Sequence, residues 1–248
     1  MTDMGNEYTA IAALYDGFRG ESPSMWAAYL DELFARYAGK KPKTLIDLAC
    51  GTGTVTAALM KLGYDVIGID RSEEMLALAQ QHAPDALLLH QDMRSIDLYG
   101  TADGAVCCLD SVNYLPSGDD VTRMLASLHR FLSPGSLFIF DVNTEIRFKN
   151  KYGKNDFILE DKNGLIAWSC DYKPRLKRCD FYLSCFIPQP DGRYVRRDEE
   201  QSEYCYSDRQ IREFAEKTGY VVLAALDRMA LHEADANSEK VHYVLKRI

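Results

Sequence analysis

The chain has 248 residues, of which 47% are hydrophobic and 27% are charged, an ordinary composition for a globular protein. Its formal net charge of -8 disfavours non-specific binding to nucleic acid, because Lys and Arg must neutralise the phosphates in such complexes. No run of about 18 apolar residues occurs, and the N-terminus lacks a cationic start with an apolar core, so we expect neither a membrane span nor a secretory signal.

The cysteines indicate a reducing compartment. The seven of them are an odd number, and no C-x-x-C pair occurs. This pattern disfavours a disulfide framework and a zinc site, so we expect no metal and a cytoplasmic location.

Two helices are predicted at the start of the chain. The first covers about Tyr8 to Phe18. The second lies in "ESPSMWAAYLDELFARYAG", with Ser22 as N-cap and Gly39 as the stop.

Apolar strands then alternate with amphipathic helices. The predicted strands are "TLIDLA", "DVIGID", "ALLLH", "GAVCCLD" and "GSLFIFDVN". Ser72 is the predicted cap of the helix "SEEMLALAQQHA". Continuous apolar strands between such helices indicate an α/β fold with a parallel, doubly wound sheet that is covered on both faces.

A different pattern occupies residues 146–206. The Asn163-Gly164 pair between two strand-like runs predicts a hairpin, and "RCDFYLSCFI" alternates in the manner of a strand with one buried face. The α/β pattern resumes at Ser207, which forms an S-x-x-Q capping box with Gln210. We therefore predict one domain from residues 1–145 and 207–248, with an inserted antiparallel sheet that covers an acceptor, forms a homodimer contact, or does both.

The glycine turn "DLACGTG" does not suit a phosphate ligand. Gly51 and Gly53 are followed by Thr56 where a dinucleotide fingerprint needs a third glycine, and no P-loop motif occurs. Asp47 in the preceding strand would repel a pyrophosphate at the following helix N-terminus.

A cationic ligand without phosphate removes this conflict, and S-adenosylmethionine (SAM) has an ammonium, a sulfonium, a ribose and an adenine. Asp70, at the end of the second strand, is placed to accept from both ribose hydroxyls. Asp92 and the Met93 amide follow the third strand and are placed for the adenine, and Met75 is a candidate wall of its pocket. Leu109 ends the fourth strand beside the same crevice, since ligands of open α/β sheets bind at the carboxyl ends of the strands.

The combination of these segments resembles the class I SAM-dependent methyltransferases. The "DLACGTG" segment resembles the family's D/E-x-G-x-G-x-G loop with Ala49 at the first glycine, "GIDRSEEML" its ribose segment and "QDM" its adenine segment. The resemblance implies a seven-stranded sheet of order 3-2-1-4-5-7-6, with strand 7 antiparallel, and a cofactor site that also includes Ala49, Cys50 and Arg71.

The implied activity is transfer of a methyl group to nitrogen or oxygen of a small molecule by direct in-line displacement. Candidate catalytic residues at the mouth of the crevice are Asp110, Asn113, Tyr114 and Tyr15, of which Tyr15 resembles an N-terminal tyrosine that closes over the cofactor in related enzymes. Three alternatives stay open at this point: a non-catalytic SAM-binding subunit, an aminopropyl transferase and an NAD-dependent oxidoreductase.

Overall fold

Eleven strands and seven α-helices make up the computed structural model, which describes residues 11–17, 20–153 and 155–248. The strands are β1 Thr44–Leu48, β2 Asp65–Asp70, β3 Leu87–His90, β4 Ala102–Cys107, β5 Leu132–Asn143, β6 Asp156–Asp161, β7 Gly164–Lys173, β8 Arg178–Pro188, β9 Tyr194–Tyr204, β10 Tyr220–Asp227 and β11 Lys240–Arg247. The helices are α1 Ala12–Tyr15, α2 Pro23–Tyr37, α3 Thr54–Lys61, α4 Glu73–His82, α5 Gly118–His129, α6 Glu145–Arg147 and α7 Asp208–Lys217.

Seven of the strands form one sheet in the order β10-β11-β5-β4-β1-β2-β3. The strands β1 to β5 pair in parallel, whereas β11 is antiparallel to both β5 and β10. Counted along the chain without the insertion, this order is 3-2-1-4-5-7-6. The predicted fold class is therefore confirmed.

Helices cover both faces of this sheet, and the side chains of its strands alternate between two hydrophobic clusters. On β5, Phe138 and Phe140 pack in the cluster that includes α5 and α7, while Leu137 and Ile139 pack in the cluster that includes α2 and α3. Cys107 and Cys108 divide in the same way, as expected for neighbouring residues at the end of a strand.

The predicted helix caps are present. Ser22 and Ser72 each accept a hydrogen bond from the backbone amide three residues on, and Ser207 with Gln210 forms the capping box. The predicted first helix is seen only in part, because residues 1–10 and 18–19, and with them Tyr8 and Phe18, lie outside the described residues.

The insertion between β5 and α7 forms a second, antiparallel sheet of order β6-β7-β8-β9. The predicted hairpin forms between β6 and β7, but its two turn residues are Lys162 and Asn163, because Gly164 already pairs with Asp161. The Asp161 carboxylate accepts from the Asn163 backbone amide at 2.7 Å. One face is buried around Phe181 and Cys185 and packs on Leu14 of α1 and Phe148. This sheet therefore lies beside the segment that follows β5.

No helix in the described part of the chain is both long enough and apolar enough to cross a membrane.

Candidate active site

The turn from β1 to α3 opens a crevice at the carboxyl ends of the parallel strands. Gly51 and Gly53 adopt left-handed φ angles of 56° and 73°, which favour glycine. A Cβ on Gly51 would meet nothing within 4 Å, whereas one on Gly53 would lie 2.8 Å from the Cα of Ala79 in α4. Gly51 therefore leaves space for a ligand, while Gly53 allows two helices to approach closely.

The crevice beside this turn, named here the cofactor crevice, collects most of the predicted cofactor residues. Its lining includes Tyr15, Ala49, Gly51, Ile69, Asp70, Arg71, Met75, Gln91, Asp92, Met93, Arg94, Ser111 and Tyr114. Its deep end is a smaller cavity lined by residues that include Asp47, Cys50, Gly51, Cys108 and Leu109.

Asp70 ties the glycine turn to the start of α4. Its Oδ2 accepts from the Gly51 amide at 2.8 Å and its Oδ1 from the Ser72 amide at 2.9 Å. Burial raises the pKa of this carboxyl above its ordinary value, although both backbone bonds act in the opposite direction. Because an ionised carboxylate has about four acceptor sites, one on each oxygen remains for a ribose diol.

Asp47 lies at the deep end of the crevice and is only 1% exposed. The Thr56 hydroxyl donates to its Oδ2 at 2.6 Å. Burial raises the pKa of Asp47 to about 7, and the nearby Asp70 carboxylate adds to this effect. A buried carboxylate of this kind favours a ligand cation, because an opposite charge would stabilise its ionised form.

Asp92 lines the crevice beside Met93, but its carboxylate already has a partner. The Arg94 guanidinium donates to both oxygens, with its Nε 3.0 Å from each, and also contacts Asp120 at 3.1 Å. Although burial pushes the pKa of Asp92 upward, the bonds from Arg94 hold it below its ordinary value. Oδ1 also accepts from the Arg94 backbone amide at 2.8 Å and Oδ2 from Arg94 Nη2 at 2.5 Å, so few acceptor sites of this ion-paired carboxylate remain for an adenine contact.

A second cavity of about 340 Å³, named here the acceptor cavity, lies between the cofactor crevice and the inserted sheet. Tyr15 and Tyr114 line both spaces, and Leu109 lines both the acceptor cavity and the deep end of the crevice. Its other walls include Asp110, Arg147, Lys151, Tyr152, Phe157, Trp168, Gln201, Glu203, Arg228 and Lys240. The two spaces therefore adjoin at the three shared side chains.

The comparisons agree with this geometry. Residues 45–135 match the family model described as a methyltransferase domain. The crystal structure of a S-adenosylmethionine-dependent methyltransferase from Clostridium acetobutylicum is 26% identical, with a TM-score of 0.86, and the match covers 98% of this chain and 99% of that one. The chain is a class I SAM-dependent methyltransferase. Its cofactor is SAM, and the oxidoreductase, aminopropyl transferase and non-catalytic alternatives are set aside.

Two curated relatives extend the comparison. The Bacillus subtilis protein named "Putative methyltransferase YqeM" is 28% identical over 241 residues, which cover 95% of each chain. The dTDP-3-amino-3,4,6-trideoxy-alpha-D-glucopyranose N,N-dimethyltransferase of Streptomyces venezuelae is 32% identical over 133 residues, which are 52% of this chain and 56% of the relative.

The methyltransferase has a buried ion cluster where β4, β5 and β11 meet. The Lys240 ammonium lies 2.8 Å from Asp110 Oδ1 and 2.5 Å from Asp141 Oδ2. Despite burial, this ammonium keeps the pKa of Asp110 below its ordinary value. Asp110 does line the acceptor cavity, but an ion-paired carboxylate with a lowered pKa is a weak base, so the structure favours an electrostatic role over the catalytic one predicted.

Asn113 differs from its prediction more strongly. Instead of lying at the crevice mouth, it is fully buried. Its side-chain Nδ2 donates to the backbone carbonyls of Asn143 at 3.1 Å and Tyr204 at 2.9 Å, and its Oδ1 accepts from the Asn143 backbone amide. Asn113 thus joins the segment after β4 to β5 and β9 and positions the neighbouring Tyr114.

Tyr114 and the inner face of β9 complete the polar wall of the acceptor cavity. The Tyr114 hydroxyl donates to Gln201 Oε1 at 3.0 Å, and the side-chain amide of Asn143 donates to Glu203 Oε2 at 2.7 Å. Burial, followed by the Asp110 carboxylate, raises the pKa of Glu203 well above its ordinary value.

Gln201 and Glu203 line the site but were not predicted as site residues from the sequence. Their signal is the alternation in "EEQSEY", where Glu199, Gln201 and Glu203 point inward from one strand. Three buried polar residues at a spacing of two indicate a strand that faces a polar site.

Proposed function

We propose that this methyltransferase transfers the methyl group of SAM to nitrogen or oxygen of a small molecule held in the acceptor cavity. The observation that carries the proposal is the junction of the two spaces at Tyr15, Leu109 and Tyr114. A nucleophile in one space can then meet a methyl group presented from the other. The activity of the Streptomyces venezuelae relative, which acts on an amino sugar according to its name, supports a small acceptor.

The chain's residues fit SAM at three places. Gly51 leaves its side of the crevice open, Asp70 retains acceptor sites for a ribose, and Asp47 is a buried carboxylate without a cationic partner among the described residues. SAM, when bound, supplies an activated methyl group that leaves its sulfonium as the acceptor's lone pair forms the new bond.

The contribution of the chain is then to align the acceptor and exclude water. Tyr15 and Tyr114 flank the junction, and the aromatic side chains of Tyr152, Phe157 and Trp168 line the cavity beneath the inserted sheet. Alignment of this kind can supply several kcal/mol without acid–base chemistry. We assign the inserted sheet the role of acceptor cover, and the predicted homodimer contact stays a prediction.

A protonated amine or a hydroxyl must also lose a proton, and Glu203 is the side chain we propose to accept it. It lines the acceptor cavity, and its raised pKa makes its ionised form a stronger base than an ordinary carboxylate. The side-chain amide of Asn143 holds the Glu203 carboxylate in place by donating to its Oε2 at 2.7 Å.

The free thiols of all seven cysteines support the proposal that the enzyme acts in the reducing cytoplasm.

The test is incubation with methyl-labelled SAM and a metabolite extract, followed by separation by size. The label should appear in small molecules, and Asp70→Ala should reduce this transfer sharply when SAM is limiting. Label found only in protein or nucleic acid would contradict the proposed acceptor class.

A further inference from the structure

The acceptor cavity has a cationic wall that the SAM chemistry does not use. Arg147 ends α6 and Lys151 lies in the π-type turn Phe148–Tyr152 that follows. Their spacing of four places them on one face of this helical segment, and both line the cavity.

Arg147 is buried, with 8% exposure, and its Nη1 has no hydrogen-bond partner in the described part of the chain. Its Nε donates to the Tyr152 hydroxyl at 3.3 Å, and the carboxylate of Glu239 is 3.9 Å from Nη1, beyond hydrogen-bond distance. Leaving a buried polar group unpaired is destabilising, and more so for a charged group. A ligand that accepts from Nη1 would remove this cost.

Lys149 forms an ion pair with a carboxylate of the described residues, whereas Lys151 does not. The Lys149 ammonium lies 3.0 Å from Glu145, on the side of the segment away from the cavity lining. No carboxylate among residues 11–17, 20–153 and 155–248 lies within 4.0 Å of the Lys151 ammonium, which is 6.0 Å from the centre of the Tyr152 ring. Lys151 is thus available to an anion.

The other charged side chains of the cavity are largely paired. Arg228 pairs with Glu21, with its Nε 2.7 Å from the carboxylate, and Lys240 pairs with Asp110 and with Asp141 behind it. Glu203 is the remaining acid of the wall, and its carboxylate accepts a hydrogen bond from the Asn143 side-chain amide at 2.7 Å.

Within the described residues, no carboxylate is hydrogen-bonded to Arg147 Nη1 or to the Lys151 ammonium. Burial lowers the pKa of Lys151, and the positive charges of Arg147 and Arg228 lower it further, while the carboxylates of Glu239 and Asp110 act in the opposite direction without reversing the shift. An anion there would relieve this like-charge repulsion.

We propose that the methyl acceptor carries an anionic group, a carboxylate or a phosphate, that binds to Arg147 and Lys151. This inference rests on the proposed function, because it concerns the acceptor of that reaction. Guanidinium and ammonium groups bind both kinds of anion through charge-assisted hydrogen bonds.

The first test is the charge of the labelled product. The methylated small molecule should be retained on an anion-exchange column at about pH 11, where an amine no longer carries the positive charge that would cancel a carboxylate. Loss of retention after phosphatase treatment assigns a phosphate, and loss only after acidification assigns a carboxylate. A labelled product that passes through unretained overturns the inference and leaves the proposed function standing, whereas label confined to macromolecules overturns the proposed function.

The second test needs no acceptor. Inorganic phosphate and acetate are added separately to the intact protein, and the Tm is compared with that in sodium chloride at equal ionic strength. At least one anion should raise the Tm of the wild type and of Lys61→Met, a control on the exposed end of α3. The same anion should have a smaller effect on Lys151→Met. Equal shifts in all three proteins, or none with either anion, would overturn the anion site.

The third test uses the labelled acceptor itself. Lys151→Met should raise the KM for the acceptor about tenfold with kcat little changed, since it removes one charged contact remote from the reacting atoms. Arg147→Lys should retain part of the affinity that Arg147→Met loses, and SAM affinity shows that each variant is folded. An unchanged KM for the acceptor in Lys151→Met and Arg147→Met would contradict the assignment.

Discussion

The protonation of Asp47 is expected to control SAM binding near neutral pH. Burial raises the pKa of Asp47 to about 7, against an ordinary value of 3.8. This difference corresponds to about 4 kcal/mol against the ionised form in the free protein. A bound ammonium would offset that cost, so affinity should depend on the ionised carboxylate.

The sign of the effect follows from this shift. Below about pH 7 Asp47 must lose a proton to receive the ligand cation, so SAM affinity should fall by up to tenfold for each pH unit. Above about pH 8 the ligand's own amino group loses its charge, so affinity should be highest between these values. The pKa of Asp47 is higher in the folded protein than in the unfolded chain, so the protonated carboxyl favours the folded state. This stabilisation is complete below about pH 4, and the free energy of unfolding should fall as pH rises from about 4 to about 7.

Calorimetric titration of SAM over this pH range measures the effect. Asp47→Asn should bind SAM weakly at every pH and lack the acid limb. Thr56→Val should move that limb to higher pH, because the Thr56 hydroxyl donates to the Asp47 carboxylate at 2.6 Å. Asp65→Asn, at the exposed start of β2, is the matched control. An acid limb of unchanged position and size in Asp47→Asn would refute the reasoning.

Three further predictions follow from the site. Asp70→Ala should weaken SAM binding by about 2–3 kcal/mol in the same titration, since it removes a charged acceptor of the ribose hydroxyls. Lys240→Met should lower the free energy of unfolding by about 3–5 kcal/mol in denaturant melts, because Asp110 and Asp141 would lose their buried counter-ion. Glu203→Gln should lower kcat about 100-fold with SAM affinity unchanged if it accepts the acceptor's proton.

Each of these predictions has its own control or contrary result. Unchanged SAM affinity in Asp70→Ala would contradict the ribose assignment. Lys246→Met, at the exposed end of the same β11, should leave stability nearly unchanged, and an equal loss in both lysine variants would contradict the role of the buried cluster. Wild-type kcat in Glu203→Gln would remove Glu203 as proton acceptor.

The parts of the site that the sequence predicted depend on local patterns. Parallel strands end at one edge of a sheet, so the residues near those ends, Asp47, Asp70 and Asp110, could be grouped from the strand pattern alone. Left-handed backbone at Ala49 and Leu109, with φ of 54° and 61°, was not predictable from side chains that normally avoid it.

The parts that the sequence missed depend on long-range contacts. Glu203 reaches the cavity because β9 pairs with β8 and its side chain meets Asn143, which is 60 residues away. Arg147 and Lys151 follow β5 in a segment without a strong helical pattern. That no described carboxylate is hydrogen-bonded to either side chain depends on the tertiary structure and cannot be inferred from the sequence. Asn113 appeared catalytic because it follows a strand end, but its burial could not be inferred from position alone.

A crystal structure with S-adenosylhomocysteine would test the arrangement of the two spaces most directly. We predict the ribose on Asp70, the amino group near Asp47, and the sulfur at the junction of Tyr15, Leu109 and Tyr114, open toward the acceptor cavity. A sulfur directed away from that cavity, or a ligand bound elsewhere in the fold, would contradict the account.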